Sequence, residues 1–436
     1  NVSIDEGVYK SVSIGGEAKE FHWFLVGKAN RVLAGDVFSV RIKTRSANFD
    51  LDNFIVLNKA NTIPEGMEAE LVDKINTLPD DLYPKPSFTP PPEHPRLYFT
   101  KKDIPKILED MQKPQNAVAL DLHEKNLLST ENGMLTPSRS GESNSSDTAL
   151  GIFESWAFDY AIRGNEEHGR KAVEGIKNYI NTLVIKPDQG SYTRAAGHVV
   201  FTLSQVYDWC YALLTDEYKL ELIEGAIALL EGPMGIGWPP VNQSSVTSHG
   251  SEAQLLRDII SFAIAVYDER PDIYNVAGGR FFEDYVPARK FYNASHMHHQ
   301  GSSYGTFRGQ WDFNATWIFD RLGLPDVFGD NQRYMAYWFI YARRPDGTLV
   351  KDGDFATNDK KIGTYYSNPA RVMVMASGYY KDPYYKKEAT RSNPRLSTFG
   401  YGHGKMSPVE FLIFNDPDVE GRALGELALT RYFPGP

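Results

Sequence analysis

Cysteine is almost absent: Cys210 is the single one in 436 residues. That excludes an internal disulfide framework and any metal site built from several thiolates. Lying in Val206-Tyr-Asp-Trp-Cys-Tyr211, it reads as a buried structural thiol. Long apolar runs are missing too, with no stretch of 18 hydrophobic residues, so no membrane span is expected. No secretory leader pattern opens the chain, which is compatible with a leader already removed. Positive charge is in deficit: 46 Lys/Arg against 56 Asp/Glu leave −10, which argues against nucleic acid as the main partner.

What is present describes a folded protein of more than one domain, with 42% hydrophobic and 13% aromatic residues. The 25 tyrosines, 24 phenylalanines and 7 tryptophans lean toward carbohydrate handling, because sugar faces stack on rings; many large enzymes share that bias. The net charge speaks against a polyanionic substrate only at first sight. Charges screen over about 8–10 Å in physiological salt, so the local field decides. Residues 280–361 carry 11 Lys/Arg against 10 Asp/Glu, the least acidic part of the chain, which permits an anionic ligand.

The organisation expected is a multidomain α+β chain. Residues 1–83 read as a partial β-sandwich, jelly-roll-like and similar to a carbohydrate-binding module, as apt for a spacer as for a working module. Phe38, Val40 and Ile42 alternate with polar residues, and Phe54–Leu57 follows as a buried strand, with Trp23 and the 33–36 turn completing the pattern. Six prolines within 84–95 make 84–96 an extended, semi-rigid linker. Over 97–405 the period changes to helical. Helices are predicted around 153–161, 172–183, 196–214, 216–231, 252–268, 304–322, 331–342 and 368–380, with Thr215 as an N-cap and Gly232 as a C-cap. Repeated helices with short links favour antiparallel pairs arranged as an incomplete α/α toroid with an open groove. Residues 131–148, rich in Ser, Gly, Asn and Thr, read as a mobile loop. Residues 406–436 turn extended at 427–432 and read as the connection to a further, C-terminal β-sandwich absent from this chain.

Two segments carry the chemistry. Ser248-His-Gly-Ser-Glu252 places an imidazole and a carboxyl group three residues apart near a predicted helix start, where Ser251 and Gln254 fit a capping box. Tyr304 opens another helix, with Arg308 one turn behind it. Abstracting the C5 proton of a uronic acid requires three things: a neutralised carboxylate, a base at C5 and an acid at the C4 leaving oxygen. His249 and a protonated Glu252 suit the first task, and the N–H groups of a helix start attract a carboxylate. Tyr304 suits the base, the acid or both. A free phenol has a pKa of about 10, so the Arg308 charge is needed to lower it. A lone His or Tyr in a helical protein is more often structural; the spaced combination is what points to β-elimination.

Two other motifs invite a metal. His296-Met-His-His299 offers imidazoles without a carboxylate or Cys spacing to complete a zinc site, and Asp352-Gly-Asp354 lacks the rest of a calcium loop. No metal or cofactor is therefore expected in this chain. Arg343-Arg-Pro-Asp-Gly347 is a turn whose two cations face either an anion or solvent.

Taken with His94-Pro-Arg-Leu-Tyr98, Val206–Tyr211, Gly237-Trp-Pro-Pro240, Ala265-Val-Tyr-Asp-Glu269, Gly279-Arg-Phe-Phe282, His299-Gln-Gly-Ser-Ser-Tyr304 and Arg343–Gly347, the chain from about 94 to 435 resembles heparinase II, of the heparinase II/III group of bacterial polysaccharide lyases. The resemblance implies an α/α toroid followed by β-sandwich domains. It implies catalytic roles for His249, Glu252 and Tyr304, the last as general base and acid. Arg308, Arg194, His299 and Arg344 are the candidate substrate-binding residues. It also implies a further catalytic histidine and a structural zinc in the missing C-terminal sandwich, present in a longer chain or as a separate one. The expected partner is an acidic polysaccharide of the heparin or heparan sulfate type, in a periplasmic or secreted setting; a homodimer stays open. The N-terminal β segment departs from that group, which leaves endo- against exo-lytic cleavage open.

Overall fold

In the computed structural model, the described residues are 83–129, 147–183, 192–231, 254–345, 370–392 and 406–435, with 2–4, 40–42, 252, 350, 399 and 400 besides. Val2–Ile4 and Val40–Ile42 pair antiparallel, Val2 opposite Ile42, so Val40 and Ile42 of the alternation lie in a strand, while Phe38 lies outside the described residues. Trp23, the 33–36 turn and Phe54–Leu57 lie outside the described residues.

The rest of the described chain is mostly helical. Asp147–Arg163 is buried on nearly every face, from Ala149 through Asp159, which marks it as central. Gly164, at φ 73°, turns the chain within two residues, a backbone state that glycine adopts without strain. Asn165 then caps Glu166–Thr182 by accepting the His168 N–H at 3.3 Å. That helix is amphipathic and lays Ala172, Val173, Ile176 and Tyr179 onto its predecessor. Tyr192–Trp209 packs on Asp147–Arg163 and on Ile259–Ala265, and Gly301–Arg321 packs on Ala370–Tyr380. Thr215 Oγ1 accepts the Tyr218 N–H at 3.2 Å ahead of Asp216–Glu231, the cap expected of it; Gly232 lies outside the described residues. The loop read over 131–148 also lies outside them, except that Asp147 and Thr148 already belong to a helix.

The proline-rich stretch, read as an extended linker, carries neither helix nor strand from Tyr83 onward and is bound to the helices. The Tyr83 hydroxyl donates to Asp284 at 3.0 Å, and the Phe88 ring meets Phe319 edge-on. His94 stacks on Tyr211 at 3.7 Å and reaches Asp208 and Asp268 at 2.7 and 3.0 Å. Asp208 accepts the backbone N–H groups of Arg96 and Leu97 at 2.9 and 2.8 Å, so one buried carboxylate satisfies two donors that have no sheet or helix to serve them. At the other end, Pro408–Phe414 forms a helix with a complete Ser407–Glu410 capping box and packs on helices Ile104–Met111, Ala117–Leu127 and Asp147–Arg163. The helical body thus continues past residue 405. The stretch 427–432, read as extended, carries neither helix nor strand.

Candidate active site

Tyr304, Arg308 and Asp312 lie at intervals of four on the Gly301–Arg321 helix, so one face of that helix presents a phenol, a guanidinium and a carboxylate in a row. The Arg308 guanidinium carbon lies 4.5 Å from the centre of the Tyr304 ring. Its Nη1 donates to Glu252 Oε2 at 2.9 Å. Arg308 thus contacts both Glu252, 56 residues earlier in the sequence, and the ring of Tyr304.

Glu252 sits just before a π-helical turn, Gln254–Asp258, and is 1% exposed. Its other oxygen accepts Arg289 Nη2 at 2.8 Å. The His299 Nε2 lies 3.5 Å away, and the Gln300 side-chain amide donates to it from 3.4 Å. Burial works against the charge on Glu252, but His299 and the guanidinium groups of Arg289 and Arg308 overcome it and hold the carboxyl below its ordinary range. Glu252 was expected to act as a protonated donor toward a substrate carboxylate; the structure instead surrounds it with cations and keeps it ionised. The reason is local: two arginines reach it from two other helices, which spacing around residue 252 could not disclose.

Arg289 comes from Val286–Asn293, one turn after a second π-helical stretch, Phe281–Tyr285. It is 1% exposed and also donates through Nε to Asp312 Oδ1 at 2.6 Å. Burial opposes the Asp312 charge too, but Arg289 and then His298 hold its pKa at about 2. The backbone N–H of Gln300 donates to His298 Nδ1 at 3.2 Å, so the His298 proton sits on Nε2, which faces Asp312 Oδ2 at a long 3.6 Å. Burial, with His298 beside it, pushes the His299 pKa down to about 4, so His299 is neutral at ordinary pH. The rings of Tyr292, His299 and His298 form one stack with 4.4 Å between neighbours.

The remaining candidates are placed less fully. His249, Ser251 and the side chain of Gln254 lie outside the described residues, and with them the capping box. Arg194 falls in helix Tyr192–Trp209, its side chain outside the described residues. Arg344 is exposed, whereas its neighbour Arg343 is paired with Glu388. His296 turns to Asn331 and Tyr334, apart from the stacked pair. Among the described residues no cluster of three or more His, Cys, Asp or Glu is arranged to hold a metal ion, and no helix is long and apolar enough to cross a membrane.

Arg289, Asp312 and Tyr292 were not anticipated, whereas His298 and Gln300 fall in motifs singled out from the sequence without a role in this cluster. Asp312 had a signal, since it continues the four-residue spacing of Tyr304 and Arg308. Arg289 had none.

No family model matches the chain, and no curated protein matches it. Among solved structures, an alginate lyase from Bacteroides ovatus aligns with a TM-score of 0.43 and 12% identity, over 74% of this chain and 99% of that one.

Proposed function

We propose that this chain is the helical part of a polysaccharide lyase that cleaves uronate polymers by β-elimination. In this reading the helix pairs form an incomplete α/α toroid, and Tyr304 faces its groove. The observation that carries it is the shared position of Arg308, which is fixed by the buried Glu252 carboxylate and lies against the phenol ring of Tyr304.

A cation beside a phenol favours its ionised form. Tyr304 then takes the C5 proton. The electron pair left at C5 forms the C4–C5 double bond, the C4–O bond breaks, and the leaving oxygen takes a proton from the phenol just formed. His249 is assigned to the substrate carboxylate, while Glu252 serves by holding Arg308. Arg194, His299 and Arg344 are assigned to the anionic groups of the polymer. A hydrolase using two carboxyl groups fits less well, because the two acids of the site, Glu252 and Asp312, are both engaged by Arg289.

The resemblance read from the sequence favours heparin or heparan sulfate, with chondroitin, dermatan and alginate as the alternatives. The test is a panel of these polymers incubated with the full-length protein, followed by ultraviolet absorbance and product sizing. New absorbance from a C4–C5 double bond is the expected result. Loss of that absorbance from pre-cleaved oligosaccharides would mean a hydrolase, and binding without either change would mean a glycan-binding subunit.

A further inference from the structure

Arg289 differs from the other cations of the site in having nowhere to go. It is 1% exposed, with Nε on Asp312 at 2.6 Å and Nη2 on Glu252 at 2.8 Å. A planar guanidinium is suited to this, since its fork reaches two carboxylates at once where an ammonium acts as a single point. Each carboxylate in turn has a second task. Glu252 holds Arg308 against the Tyr304 ring, and Asp312 faces the Nε2 proton of His298. Arg289 bonds both carboxylates directly and so ties the Glu252–Arg308–Tyr304 line to the Asp312–His298–His299 line, with longer contacts from His299 and Gln300 to Glu252 beside it. The two negative and two positive groups balance, which a buried cluster requires.

From this geometry we infer that Arg289 is a positioning residue that sets the orientation of Arg308 on Tyr304 through Glu252, without touching substrate. The inference deepens the lyase reading and rests on it for its kinetic arm only. Removing Arg289 leaves Glu252 free to draw Arg308 off the phenol, so chemistry suffers and substrate binding does not.

The experiment compares Arg289→Lys, Arg289→Ala and wild type in the full-length protein, each checked for folding by circular dichroism. On the cleaved polymer, Arg289→Ala is expected to lower kcat by about 100-fold with KM within about threefold, since general acid–base catalysis contributes roughly 10²–10⁴. Arg289→Lys should recover part of the loss, and added guanidinium ion should partly restore the Ala variant. A purely structural role would predict equal loss in all variants and no rescue. A folded Arg289→Ala enzyme with wild-type kcat would overturn the inference.

Should the wild type lack turnover, the lyase reading fails separately. A double-mutant cycle in urea unfolding between Arg289→Ala and Arg308→Ala, in the presence and absence of Glu252→Gln, then decides. Coupling of about tenfold or more in the unfolding constant that vanishes with Glu252→Gln supports the inference. Coupling under about twofold, or coupling unaffected by Glu252→Gln, overturns it.

Discussion

Tyr304 is half-buried, with a guanidinium against its ring and its hydroxyl as the one group suited to move a proton. Tyr304→Phe keeps the ring and removes that group. Turnover should fall by about 10³-fold or more while affinity, measured by calorimetry on the same polymer, stays within about threefold. Retained turnover would remove the phenol from the mechanism. Glu252 gives a different signature. Glu252→Gln takes a carboxylate away from the buried Arg308 and leaves Arg289 with Asp312, so chemical denaturation at neutral pH should show a loss of about 3 kcal/mol as well as a loss of activity. The sign with pH follows from the lowered carboxyl pKa. Wild type has this contribution above the ordinary carboxyl range and loses it on acidification, so the gap between wild type and Glu252→Gln should narrow as pH falls.

At the scale of the element, the Gly301–Arg321 helix acts as a ruler whose glycines admit a neighbour. A Cβ on Gly305 would lie 2.9 Å from His298 Cβ, closer than side chains tolerate, whereas one on Gly309 would lie 3.5 Å from the His298 ring, an ordinary contact. Replacing a helical glycine by alanine normally gains about 0.5–1 kcal/mol, and overpacking costs about 1–3 kcal/mol. His298 is pinned between the Gln300 backbone and Asp312, so the clash wins at residue 305 and not at 309. Gly305→Ala should lower Tm and activity, and Gly309→Ala should hold or raise Tm; equal effects at both positions would refute the wedge.

Elements were also where the sequence was most readable. Apolar spacing located Asp147–Arg163, Glu166–Thr182, Tyr192–Trp209, Asp216–Glu231, Gly301–Arg321 and Ala370–Tyr380, because apolar residues recur along each at helical intervals, whether one face is buried, as in Glu166–Thr182, or nearly all of them, as in Asp147–Arg163. It did not show the π-helical turns at Gln254–Asp258 and Phe281–Tyr285, which shift the register within an otherwise helical pattern. Of the site, Glu252, Tyr304 and Arg308 were legible as reactive types at helical spacing. Arg289 was not, because its role comes from two partners 37 residues before it and 23 after it, a relation set by packing.

At the scale of the whole molecule, three of the buried groups among the described residues pull the response to pH in opposite directions. Glu154, 4% exposed, accepts the Gln205 side-chain amide at 2.9 Å; burial, with Glu410 adding, pushes it from 4.5 up to about 8. Its folded pKa lies above the unfolded one, so its contribution is full below about 4.5 and is lost as pH rises toward 8. His123 and His299 are pushed by burial from 6.5 down to about 4, so stability falls as pH drops through that window. Between about 4.5 and 6.5 the two histidines outweigh the one glutamate. Above 6.5 only the glutamate of these three still acts. These groups place maximal stability near pH 6.5, and thermal melts across pH should show Glu154→Gln flattening the alkaline side only. An unchanged alkaline slope in that variant would assign the effect elsewhere.

The clasp of Asp208 on the chain at Arg96 and Leu97, together with Tyr83 on Asp284, has a mechanical consequence. A strap fastened at both ends cannot serve as a swivel. The chain from Tyr83 to Leu97 therefore moves with the helices and counts as part of their body, a belt riveted to the flank rather than a hinge beside it.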